Sequence, residues 1–183
     1  SHEPDFIEWN HIVFSREDGV MRVFRNGELI NTETIDNLPN YYNDSNLFFG
    51  RGENVTINAK LDDVGIWNRA LTPEEITKLY TGEPVVQPAC AELDPTLQNG
   101  LVGYWPFCGN ANDESGNGHN GLTAGAVPAF DRGGNPNSAY FFNGVEDIIH
   151  VAHHNDLNSF PITYSWWLKP QTDDDGGNIF HKY

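Results

Sequence analysis

Two strand-rich segments flank a proline-punctuated stretch, and neither is long enough to close a core by itself. Residues 1–83 hold several short runs of apolar and β-branched residues and end in one helix signal, and residues 98–183 hold a second, dissimilar set. Residues 84–97, with Pro84, Pro88 and Pro95 and little periodicity, read as the linker between them. A strand set that stops short leaves an unpaired edge and an apolar face open. What this chain can fold into therefore depends on what completes each segment.

The runs are strands by their patterning. Trp9 to Ser15 is apolar on both faces and is expected between two layers. Val20 to Arg25 is followed by Asn26-Gly27, a strong hairpin signal, and Glu28-Leu29-Ile30 begins the return. Leu47 to Phe49 and Ile57 to Trp67 follow. Beyond the linker come Gly100 to Phe107, Ser138 to Phe142, Asp147 to Ala152 and Ile162 to Lys169. In the last, Ile162, Tyr164, Trp166 and Leu168 alternate with Thr163, Ser165 and Trp167, so one set faces a core. The helix signal runs from Pro73 to Tyr80: Thr72 is a good N-cap, Glu75 completes a capping box, and Gly82 ends it. So short a helix is expected to pack across an edge of the sandwich. The class is all-β, an antiparallel β-sandwich with one short helix closing its first segment.

The net charge of −16 excludes nucleic acid and anionic lipid as partners, since both call for basic patches. No apolar run reaches the roughly 18 residues of a membrane helix, so no membrane insertion is expected. The chain starts at Ser1 with no signal peptide, as expected of a piece of a larger protein. Its two cysteines, Cys90 and Cys108, bracket the junction of the segments, and a disulfide between them suits an oxidising, extracellular setting.

Several motifs are similar to one family. Gly100 to Phe107, Asn110 to Gly121 and Ser138 to Gly144 resemble the beginning of laminin-G-like, concanavalin A-like jelly rolls, common in secreted multidomain bacterial surface proteins. Trp9 to Phe14, Val23 to Leu29 and Leu61 to Ile76 resemble the end of the same domain. The resemblance makes residues 1–83 a closing half and residues 98–183 an opening half, in reversed order. It implies a slice from a tandem array, or halves exchanged between neighbouring copies, in preference to one permuted sandwich. It also implies a structural calcium where first and last strands meet, held by Asp62, Asp113 and the carbonyl near Gly144, with Asp147 in reserve; carboxylate and carbonyl oxygens suit that ion.

Other candidate sites come from the residues. The run His150-Val-Ala-His153-His154 invites zinc, but on a strand 150 and 154 share a face while 153 turns away, so a polar loop edge is expected instead. Jelly-roll glycosidases carry a Glu-x-Asp-x-x-Glu run on one strand; this chain has none, and no enzyme is expected. Tyr41, Tyr42, Trp166 and Trp167 could stack on sugar rings, the tyrosine pair being the better surface choice because the tryptophan strand has a core face. The expected function is a non-catalytic extracellular module for adhesion or carbohydrate binding, with a glycan or a cell-surface protein as partner. The alternatives are a structural repeat of a stalk, filament or sheath that self-associates, and an accessory domain of a glycan-degrading enzyme.

Overall fold

The computed structural model describes residues 7–35, 44–52, 56–82, 93–171 and the backbone of 180–182. Tyr41, Tyr42 and Cys90 lie outside the described residues. The first half contributes β1 (Asn10–Glu17), β2 (Val20–Arg25), β3 (Glu28–Thr34), β4 (Leu47–Phe49), β5 (Asn58–Trp67) and α1 (Pro73–Thr81). The second contributes β6 (Leu101–Trp105), β7 (Gly121–Ala124), β8 (Val127–Ala129), β9 (Ala139–Asn143), β10 (Ile148–Val151), β11 (Ile162–Pro170) and β12 (Phe180–Lys182).

These strands form two antiparallel sheets. The large one runs β3-β2-β1-β11-β5-β9-β8, with β6 also paired to β5, and the small one runs β12-β4-β10-β7. The halves are interleaved. Strand β11 of the opening half sits between β1 and β5 of the closing half. The other edge of β5 is shared: residues 58–61 pair with β9 and residues 64–67 with β6. In the small sheet β10 pairs with β4 across the same division. Both edges of β5 are thus filled from within the chain.

The core between the sheets joins Leu47, Phe49, Ile149 and Val151 of the small sheet to Leu61, Ile66, Trp105, Phe142, Ile162 and Trp166 of the large one. Phe49 meets the Trp105 ring edge-on at 5.0 Å, and Phe107 meets Tyr140 at 5.1 Å. Each such pair adds about 0.5–1.5 kcal/mol beyond area burial. Gly103 lies under the Trp105 ring, where a Cβ would come within 2.3 Å of a ring carbon, and Gly65 stands in the same relation to Trp67.

A second core lies on the outer face of the large sheet, where Val13, Phe24 and Trp67 meet Leu71, Ile76 and Leu97. The helix has both arms of the capping box, Thr72 accepting from the Glu75 N–H and Glu75 accepting from the Thr72 N–H. Ile76 is its buried anchor, and it packs over the middle of the sheet rather than across an edge, because Val13 on β1 and Trp67 on β5 present an apolar strip there. The strip was legible in β1 as apolar residues on both faces: Ile12 and Phe14 point inward, Val13 outward under the helix.

Candidate functional site

A cavity of about 370 Å³ opens between this outer face, α1 and the segment at 93–97. Its walls include His11 of β1, Ser165 and Trp167 of β11, Asp63 of β5, Tyr104 of β6 and Arg132 from the loop after β8. The alternation in β11 sends Thr163, Ser165 and Trp167 outward while Ile162, Tyr164 and Trp166 fill the core. Trp166 is therefore a core residue, and Trp167 is the tryptophan that reaches the cavity.

Two successive aspartates on a regular strand would point to opposite faces. Here the β5–β11 register slips: Gly65 pairs with Ser165 and Asp62 with Trp167, so Asp63 and Val64 together oppose Trp166. Asp63 takes the extra place with a φ of 46°. Such a bulge re-aims side chains, and Asp62 and Asp63 converge on Arg132. The guanidinium pairs with Asp63 and lies 3.5 Å from Asp62. It also caps the Trp167 ring at 4.5 Å from its centroid. The Tyr104 hydroxyl donates to Asp63 at 3.1 Å.

Burial sets the protonation here. The Asp62 side chain is 3% exposed. Burial, and then repulsion from Asp63, push its pKa well above the usual carboxylate range against the pull of Arg132. Burial, then Asp63 and Asp62, likewise push the Tyr104 hydroxyl well up. Burial and the Arg132 charge press His11 down to about 3, so its imidazole is neutral. His11 Nε2 is hydrogen-bonded to Ser165 Oγ at 2.8 Å, while its buried Nδ1 has no hydrogen-bond partner. Tyr80 of α1 stacks on both His11 and Trp167, with centroids 6.2 and 5.8 Å away, and these two rings line the cavity.

The residues expected to hold calcium are placed apart. Asp113 organises its own loop, accepting from the backbone N–H groups of Tyr104, Ser115 and His119 and from the Ser115 hydroxyl. Asp62 faces Arg132. The Gly144 carbonyl accepts from Thr56 Oγ1 at 2.5 Å, and Asp147 accepts from the Asn143 N–H. Asp113 and the aspartate pair share only Tyr104, one at its backbone and the other at the far end of its side chain. A carboxylate saturated by four donors and another facing a guanidinium do not fit one shared calcium ion.

Of the histidine run, His154 alone joins a group of potential metal ligands among the described residues, and its companions are His119 and Asp156. Sequence reading missed Arg132, His11 and Asp63 as site residues. One signal was there to use: Arg132 is the only Lys or Arg between Lys78 and Lys169, and a lone cation amid acidic residues is a candidate for burial among them. The bulge at Asp63 leaves no comparable trace.

The family model described as the concanavalin A-like lectin/glucanases superfamily, a laminin G model, matches residues 4–77. Residues 4–77, through most of α1, therefore carry that family's pattern, and the two antiparallel sheets make the whole an all-β sandwich with one short helix. The opening half lies outside the match and enters the sandwich by its strand pairing. No curated protein and no solved structure matches the chain. Such folds serve as lectin and adhesion modules, usually outside the cell. No described helix is long and apolar enough to cross a membrane.

Proposed function

We propose that this chain is a non-catalytic, extracellular module for adhesion or carbohydrate recognition, and that the cavity beside α1 receives a neutral, hydroxyl-rich sugar unit. The observation that carries the reading is the pairing of the aromatic rings of His11 and Trp167, on both of which Tyr80 stacks, with the charged pair of Arg132 and Asp63 in one cavity. Sugar rings offer C–H faces for stacking and a rim of hydroxyls for hydrogen bonds. The size lies within the range of about 300–1,000 Å³ for small-ligand sites. Arg132 largely offsets the aspartates, so a neutral ligand is favoured over an anion or a cation. A binding role is favoured over hydrolysis because one guanidinium engages Asp62 and Asp63, of which only Asp63 lines the cavity, and the other carboxylate of the lining, Asp94, is paired with Lys78.

Glycan arrays with and without calcium, followed by titration calorimetry of any hit, test this reading. Tyr80→Ala removes the ring that braces His11 and Trp167, at a residue 37% exposed, and leaves the inner core intact. Binding that weakens in Tyr80→Ala supports the assignment. Absence of any glycan binding, or a hit indifferent to Tyr80→Ala and Arg132→Gln, removes it.

The second reading, a repeat that builds a stalk or sheath by self-association, has its own support. Strand β3 ends the large sheet, is exposed throughout, and shows Leu29 and Ile30 to solvent at 54% and 58%. Concentration-dependent assembly abolished by Ile30→Lys is its signature.

A further inference from the structure

The loop after β6 and the 3-10 turn at Asn155–Asn158 bring three side chains together at one corner of the sandwich. His119 Nε2 lies 3.0 Å from one oxygen of Asp156, and His154 Nδ1 lies 2.7 Å from the other. The two imidazole centroids are 4.7 Å apart. All three potential ligand atoms lie within 4.8 Å of one another. We infer that His119, His154 and Asp156 form a binding site for one zinc-class divalent cation, with the remaining coordination position open to solvent.

The donor set decides the class of ion. Two imidazole nitrogens and one carboxylate suit zinc and its neighbours, whereas calcium takes six to eight oxygens. The spacing is right as well. Zinc binds such donors at about 2.0–2.2 Å, which spreads tetrahedral ligands about 3.3 Å apart. The two imidazole–carboxylate gaps of 3.0 and 2.7 Å need to open by only a few tenths of an ångström, and the two imidazole donors, within 4.8 Å of each other, would settle to the same spacing as the ion binds.

The buried ligand is held in place independently of any ion. The His119 side chain is 4% exposed. Its N–H donates to Asp113 and its carbonyl accepts from Trp105 Nε1 at 2.8 Å. The Asn/Gly-rich loop is thereby tied to the core on both sides of the ring. His154, with its side chain 60% exposed, provides the side of entry. The site joins a buried loop to a surface turn, and an ion there would fasten the two. Neighbouring His150 lies on β10, paired with Phe48 and Leu122, and takes no part.

The test is zinc binding by untagged protein after dialysis against a chelator, read by competition with a chromogenic chelator and by the visible spectrum of the cobalt(II) form. One ion per chain is expected, calcium should not compete, and cobalt should give a nitrogen/oxygen-type spectrum. His154→Ala, at an exposed position, and Asp156→Asn should each weaken zinc by about 100-fold or more, beyond the 10–100-fold typical of outer-shell losses. His150→Ala should bind as the parent does. Absence of stoichiometric zinc binding, equal affinity in His154→Ala, or a loss in His150→Ala matching that in His154→Ala overturns the site.

Discussion

His11 Nε2 and Ser165 Oγ stand 2.8 Å apart although 154 residues separate them in sequence. One belongs to the first strand of the closing half, the other to the longest strand of the opening half at their shared seam. With β11 between β1 and β5, the two halves form one set of sheets. The protein should sediment with the mass of one chain and melt in a single transition. Fragments 1–83 and 98–183 should be unfolded apart and regain sheet circular dichroism when mixed. A folded isolated half would break this account.

Among the described residues Arg132 is the cation that pairs with both Asp62 and Asp63. Arg132→Met leaves Asp62 and Asp63 facing each other without a counter-charge, and removing one partner of a buried pair costs about 3–5 kcal/mol. Asp63 is 22% exposed, so the lower end applies. Urea unfolding at neutral pH measures the loss. Adding Asp62→Asn to Arg132→Met should restore part of it, since the buried carboxyl that must either take up a proton or face Asp63 uncompensated is then gone.

His11 gives stability a pH dependence of known sign. Its folded pKa is about 3 against an ordinary 6.5. Between these values the unfolded chain holds a proton that the folded chain does not, so stability falls as pH drops from about 6.5 toward 3. The slope approaches about 1.4 kcal/mol per pH unit inside that window. Asp62 acts in the opposite sense: its raised folded pKa favours the fold at low pH and is a loss as pH rises above the ordinary carboxylate range. The contribution of His11 is therefore read as the difference between parent and His11→Gln, measured by urea unfolding at pH 7 and pH 4.5. Parallel pH profiles would refute it.

Gly103→Ala should destabilise without touching the cavity. The added Cβ would meet the fully buried Trp105 ring at 2.3 Å. Overpacking of this kind costs about 1–3 kcal/mol, and a lowered urea midpoint with an unchanged slope is the expected readout.

A bond between Cys90 and Cys108 is proposed to tie the linker to the opening half. Peptide mapping under non-reducing conditions should find the cross-linked pair. Reduction should lower stability by roughly 3 kcal/mol for a loop of this length. Two free thiols by mass would remove the proposal.

Much of the secondary structure was legible because it depends on local chemistry. Short apolar and β-branched runs placed β1, β2, β4, β5 and β9 to β11 within a residue or two, Asn26-Gly27 placed the hairpin, and Thr72, Pro73 and Glu75 placed the helix start. Strands β7 and β8 were not legible: Gly121–Ala124 and Val127–Ala129 are short and largely exposed, with little apolar alternation to read.

The sites were less legible, because their parts are distant in sequence. Of the His150-Val-Ala-His153-His154 run only His154 meets His119 and Asp156, and His119 arrives from another loop. Asp62 was singled out, yet its partner is Arg132, and a one-residue bulge decides which way Asp63 points. By itself the sequence determined the strand runs and the capped helix, both consequences of neighbours a few residues apart. Only the tertiary structure decided that the halves close within one chain and that His11, Arg132 and Trp167 share a cavity, because sheet register and a bulge bring together residues that no local pattern relates.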